Sequence, residues 1–200
     1  MKTFIIFVML IFMSFQTYSI NNQGSNKNAI TQPQQPSLDQ IEKRIYDAFV
    51  QSTIKNDLAP MNSIEEELKQ IDLKKQQNLV WYWRAYLNYY KAIYYLKFAD
   101  KEKSENACDE AVDWLKNMKN KTSEDYALQV LIQSFSIQFK GAKAMFVSSQ
   151  IKKNAKKAIA LDPKNLRANF VLASNDFYTP EAYGGGKKAE GYLTKAISLP

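Results

Sequence analysis

From Ser37 onward the sequence predicts an all-α protein built of antiparallel helical hairpins, on three observations. Apolar side chains recur at close to 3.6 residues throughout that stretch. No run alternates apolar and polar residues as a half-buried strand would. The interruptions carry helix-stop and helix-start chemistry: Asp57-Leu58-Ala59-Pro60, Gly141, Asp162-Pro163 and Gly184-Gly185-Gly186.

The elements follow in order. Ser37 with Gln40 reads as a capping-box start to a helix with Leu38, Ile41, Ile45, Ala48 and Phe49 on one face. After the Asp57–Pro60 break, a second box, Ser63 with Glu66, opens a shorter helix carrying Ile64, Leu68 and Ile71. The third and most apolar helix is expected from Asn78 to Phe98, with Trp81, Trp83, Tyr86, Leu87, Tyr90, Ile93 and Tyr94. A fourth runs through Ala107, Ala111, Trp114, Leu115 and Met118, and a fifth starts near Ser123, loosely boxed by Tyr126. Gly141 marks a break before a sixth helix carrying Ile151, Ala155, Ala158, Ile159 and Leu161. The seventh is expected over Asn165–Tyr178 and the eighth over Lys187–Leu199. Eight helices with short connections make four hairpins, and since no hairpin buries both its faces alone, stacking must supply the core.

The residues before the helices read as an address and a tether. Met1-Lys2 precedes a run from Phe4 to Phe15 that is apolar except for Ser14, the layout of a secretory signal covering residues 1–19 and cut after Ser19. That run falls short of the roughly 20 residues that span a bilayer, so no stable membrane span is expected after its removal. The alternative is an uncleaved anchor. Residues 20–36 are rich in Asn, Gln, Ser and Pro and read as a flexible linker to a helical domain over residues 37–200. Periplasmic or secreted localisation follows from the signal.

Composition removes several kinds of chemistry. Histidine is absent, so imidazole bases and His-ligated zinc sites cannot be built. Cys108 is the only cysteine, which excludes intramolecular disulfides and thiolate clusters and predicts a free, buried thiol. No catalytic residue, metal site or cofactor is expected, and the reading is of a protein that is not an enzyme. The net charge of +7 is almost all lysine, with Arg44, Arg84 and Arg167 the only arginines, which argues against nucleic acid as a partner. Lys152-Lys153 and Lys156-Lys157 fall as a stripe along one helix and read as a solvated face.

The stretch from Ala155 to Ala168 is specific. Ala158-Ile159-Ala160-Leu161-Asp162-Pro163 closes one helix and Asn165 opens the next. This resembles the junction between consecutive tetratricopeptide repeats, in which small alanines let helices approach and Asp-Pro ends a helix. Ala168, Leu172 and Ala173, then Ala189, Leu193, Ala196 and Leu199, fit the two helices of such a repeat, so the match is clearest over residues 150–200. Trp83, Leu87 and Tyr90, with Ala107, Ala111 and Trp114, echo it more loosely. The inner repeats depart from the motif's period of about 34, and Phe135 to Pro163 is about seven residues longer than the motif expects between those positions. The segment Tyr178-Thr179-Pro180-Glu181-Ala182-Tyr183-Gly184-Gly185-Gly186 is similar to a loop of small exported bacterial tetratricopeptide proteins. Some of those resemble the periplasmic T-component of TRAP-type transporters. The resemblance implies a helical solenoid of about four helix pairs with a binding or assembly role outside the cytoplasm.

Two candidate binding surfaces follow. Trp81, Trp83, Tyr86, Tyr89, Tyr90, Tyr94 and Tyr95 crowd the third helix beyond what one buried stripe can take, and Trp83, Tyr86, Tyr90 and Tyr94 are expected to line a concave groove for a peptide or apolar ligand. Tyr178, Tyr183, Gly184, Gly185, Gly186 and Lys187 form a loop whose glycines could make an anion-holding nest at a helix start. The competing reading of that loop is a compact turn in which the glycines supply positive φ. The function expected is an exported scaffold for a protein or peptide, the alternative a periplasmic small-ligand carrier or transporter-associated protein. Ending at Leu199-Pro200 without a polar capping helix predicts self-association or a natural chain that continues.

Overall fold

A helix starts where something satisfies its first free N–H groups, and those sites fix the boundaries here. In a computed structural model, residues 38–71 and 73–198 are described, apart from the side chains of residues 73–75 and 183. The expected signal segment, the linker, Ser37 with its capping box, and Leu199-Pro200 lie outside the described residues. Among those described there are eight α-helices and no strand: α1 Ile41–Lys55, α2 Ala59–Lys69, α3 Leu73–Lys97, α4 Lys101–Asn117, α5 Ser123–Ser136, α6 Ala144–Leu161, α7 Leu166–Tyr178 and α8 Ala189–Ile197.

The start of α2 corrects the expected Ser63–Glu66 box. Asp57 Oδ1 accepts from the Ala59 N–H at 2.9 Å, and Pro60 sits in the first turn, where its fixed φ suits the helix. Asp57–Pro60 therefore opens α2, and Ser63 lies inside it. α3 is regular after a bend at Gln76 (φ −133°), close to the expected Asn78. Asp100 caps α4 by accepting from the Lys103 N–H at 3.0 Å. The cap of α5 falls one residue before the expected Ser123: Thr122 and Asp125 form a reciprocal box, the Asp125 carboxylate accepting from the Thr122 N–H at 2.8 Å. Gly141 lies at φ 46° in a 3-10 turn, Gly141–Lys143, just before α6. Asn165 caps α7, accepting from the Ala168 N–H at 2.7 Å.

Hydrogen bonds between helices give the topology. Asn78 meets Lys119, Asn88 meets Glu110 and Ala92 meets Ser104, so α3 and α4 run antiparallel. Ser123 meets Ala158 and Gln133 meets Gln150, which makes α5 and α6 the same kind of hairpin. Between hairpins the order is parallel. Tyr86 reaches Glu42 across a separation of 44 residues, Tyr82 reaches Glu124 across 42, and Ser134 reaches Asn175 across 41. Helices α1, α3, α5 and α7 thus form one parallel layer, with α2, α4, α6 and α8 packed on it. Successive hairpins are displaced by 41–44 residues, a longer step than the period of about 34 in a regular tetratricopeptide array.

The main core runs through α1–α5 and includes Ile45, Phe49, Met61, Leu68, Leu87, Tyr89, Cys108, Leu115, Leu128 and Ile132. Ala127, Ala158 and Ala168, one each from α5, α6 and α7, meet in a small cluster where the missing bulk lets three helices close up.

Candidate functional site

The spacing of Trp83, Tyr86, Tyr90 and Tyr94 places them along one side of α3, but the structure covers three of them. Tyr86, Tyr90 and Tyr94 are 1%, 3% and 6% exposed, while Trp83 is half-buried with its ring edge-on to Tyr86. Phe49 packs on Tyr90 at 4.9 Å, and the Arg167 guanidinium lies 5.1 Å from the Tyr86 ring centre. The expected open groove of tyrosines is therefore filled by its own helices. Aromatic count alone signalled contact area; only packing shows that α1, α5 and α7 supply the contacts.

The polar ends of these tyrosines meet a network at the helix starts. Tyr86 Oη donates to Glu42 Oε1 at 3.1 Å and Tyr82 Oη to Glu124 Oε1 at 2.7 Å. Arg167 Nε donates to Glu124 Oε1 at 2.8 Å, and its Nη2 lies 3.5 Å from Glu42 Oε1. Asn165 adds a bond to Glu124 Oε2 at 2.9 Å. Burial raises the ionisation range of Tyr82, Tyr86 and Tyr90 well above that of a free phenol. Burial works against the Arg167 charge, but Tyr82, Glu124, Tyr86 and Glu42 around it outweigh that penalty. None of these contacts follows from sequence spacing. The one available signal was that Arg167 is among just three arginines in a lysine-rich chain.

The glycine loop is a closed turn. Gly184, Gly185 and Gly186 donate their N–H groups to the carbonyls of Glu181, Pro180 and Asp176 at 2.8, 3.3 and 2.7 Å. Asp176 Oδ2 accepts from the N–H groups of Lys188 and Ala189 at 2.7 and 2.9 Å, so a carboxylate of the chain already holds the start of α8. The expected anion nest has no amide to offer among these glycines, and Lys187 points its charge to solvent from an exposed position. Tyr178 is exposed with its ring 5.1 Å from that of Phe177. Tyr183 ends the turn Glu181–Tyr183; its side chain lies outside the described residues.

A depression of about 210 Å³ lies between α2, α3 and α4. Lys91 forms its floor, bonded to Glu65 and, at 2.9 Å, to Asn62, while Asn88 donates to Glu110 at 2.9 Å. Burial raises the Glu65 carboxyl, but Lys91, together with Lys69 and Arg84, more than reverses this and leaves it below the usual range. Each charge in the depression is answered by a neighbour. Cys108 is fully covered, as expected, and burial pushes its thiol up to about 12. Among the described residues no three acidic or cysteine side chains are grouped to hold a metal, and no helix is long and apolar enough to cross a membrane.

Large apolar side chains left exposed are concentrated late in the chain. Met145 and Phe146 begin α6, Leu161 ends it, Leu166 and Phe177 bracket α7, and Leu193 and Ile197 lie on α8. No family model, curated protein or solved structure matches the chain.

Proposed function

We propose that the protein is a non-catalytic, exported scaffold of tetratricopeptide type that holds a protein or peptide partner on its last hairpin, α7 and α8. The observation that carries this reading is the concentration of exposed apolar side chains over α7 and α8, where Leu166, Phe177, Tyr178, Leu193 and Ile197 lie uncovered, Phe177 63% and Ile197 84% exposed. Helical-repeat stacks bind through surfaces of this kind, because the layers provide rigid, extended faces and no enclosed reaction chamber. The inner tyrosines support the fold of the scaffold and not its partner contacts. The small-ligand reading draws little from the depression over Lys91, whose volume is below the roughly 300–1,000 Å³ of ordinary ligand pockets and whose walls are polar.

The test is site-specific photo-crosslinking in envelope extract, with the photoreactive group at position 177, 197 or, as a control on another hairpin, 54. A partner trapped from positions 177 and 197 but not from the equally exposed Ile54 is the expected result. Trapping that is the same from all three positions, or absent from 177 and 197, defeats the reading.

A further inference from the structure

The charge of the chain is not evenly spread. Of 27 Lys+Arg and 20 Asp+Glu, 11 and four fall in residues 140–200, so the whole excess of +7 resides there. Helix α6 concentrates it: four lysines over 18 residues and no carboxylate. Lys152, Lys153, Lys156 and Lys157 are all exposed, while Ile151, Ala155 and Ala158 face the core. At 3.6 residues per turn, Met145 and Phe146 share the exposed arc with these lysines. Met145 is 84% and Phe146 67% exposed. One helix face about 27 Å long therefore offers two uncovered apolar side chains at its start and a field of positive charge along the rest.

We propose that this face of α6 docks on an anionic phospholipid surface. The lysines lie along the headgroup plane, and Met145 and Phe146 enter the boundary between headgroups and acyl chains. The charge is of one sign and wholly lysine, a point charge on a flexible stem, so the face responds to charge density and not to paired geometry. A nucleic acid presents a comparable charge density but no apolar layer beneath it to take Met145 and Phe146. Interfacial helices combine these two features, and the bilayer surface meets both at once. The internal order of α6 suits this role, because its buried side holds it on α5 and α7 while the other side stays free.

The full chain is tested by co-sedimentation with vesicles of phosphatidylcholine alone and of phosphatidylcholine mixed with phosphatidylglycerol. Three proteins are compared: wild type, Lys152→Gln/Lys153→Gln/Lys156→Gln, and the charge-matched control Lys55→Gln/Lys97→Gln/Lys101→Gln on earlier helices. Any contribution from the apolar Phe4–Phe15 run is common to all three. The expected result is binding to the anionic vesicles that falls about fivefold for each α6 lysine removed and weakens with salt, with the control near wild type. A Phe146→Ser variant is expected to lower binding without changing its salt dependence. Equal binding to both vesicle types, an α6 variant that binds like wild type, or equal losses in both triple variants each overturns the proposal. Retention on polyglutamate or DNA with none on anionic vesicles overturns it in favour of an acidic macromolecule.

Discussion

Single residues in the turn before α8 have requirements that differ sharply among chemically identical glycines. A Cβ on Gly185 would stand 1.9 Å from the Thr179 carbonyl oxygen, and Gly184 and Gly186 lie at φ 84° and 78°, where a side chain is strained. Gly191 sits inside α8 with open space where its Cβ would be. Gly185→Ala is therefore expected to destabilise by about 1–3 kcal/mol through overpacking, Gly184→Ala by about 1 kcal/mol through strain, and Gly191→Ala to stabilise by about 0.5–1 kcal/mol. Urea midpoints of the three variants check the order and the sign. Cys108 makes a second residue-scale prediction. Fully covered and with a raised thiol, it should react with a disulfide reagent at the rate of unfolding, so labelling should accelerate only as denaturant is added.

At the scale of elements, sequence patterns located all eight helices but misplaced the caps wherever two acceptors competed. Asn165 and Asp162-Pro163 stand alone in polarity and were legible. Asp57 and Ser63 both offered an acceptor, and Pro60 decided between them by its fixed φ, which made the apparent stop a start. Thr122 and Ser123 are adjacent, and only the side chain of Asp125, returning to the Thr122 N–H, selects the first. The same turn holds Lys121, bonded to Gln129 and lying 4.3 Å from the Tyr126 ring centre. Burial, with help from Lys157 and Lys116, lowers its ammonium to about 8, although Asp125 opposes the shift. In the unfolded chain the group keeps its ordinary, higher value and so binds its proton more tightly there. Its charged form therefore weakens the fold below pH about 8, and stability recovers as pH rises from about 8 towards 10. The urea midpoint of wild type should rise over that window relative to Lys121→Gln; parallel pH profiles would contradict the shift.

Over the whole molecule, the decisive contact is the one that spans it. Arg167 at the start of α7 touches Glu124 of α5, the Tyr86 ring of α3 and Glu42 of α1, 125 residues away in sequence. A layer whose first and fourth helices share an arginine curves towards itself there, and the Tyr86 ring of α3 lies beneath that contact as core. Arg167→Met is expected to cost on the order of 2 kcal/mol, since it leaves carboxylates and phenols without their shared donor. A larger hydrodynamic radius should accompany the loss if the curvature relaxes. Arg167→Lys should recover little of it, because one ammonium cannot serve two carboxylates and a ring face together. Stability should also fall above pH about 10, where unfolding lets Tyr82, Tyr89 and Tyr90 ionise while the folded state holds them neutral. Tyrosinate absorbance appearing together with loss of helix would report this.

The sequence by itself determined the class of fold, because the 3.6-residue period and the order of breakers are local properties of the chain. It also determined the small alanines of α6 and α7 at their contact and the burial of Cys108, a lone thiol at an apolar position of a helical period. Which aromatic side chains stay free for a partner was decided by tertiary structure alone. A tyrosine at a helical interval looks the same whether its neighbour is solvent or another helix, and the neighbours of Tyr86 come from Glu42 and Arg167, far off in the chain. The glycine loop followed the same logic: its amides looked available until the fold brought Glu181, Pro180 and Asp176 back onto them. The lysine stripe of α6 was legible as a solvated face, but the exposure of the apolar side chains on α6, α7 and α8 depends on long-range packing that no local pattern encodes.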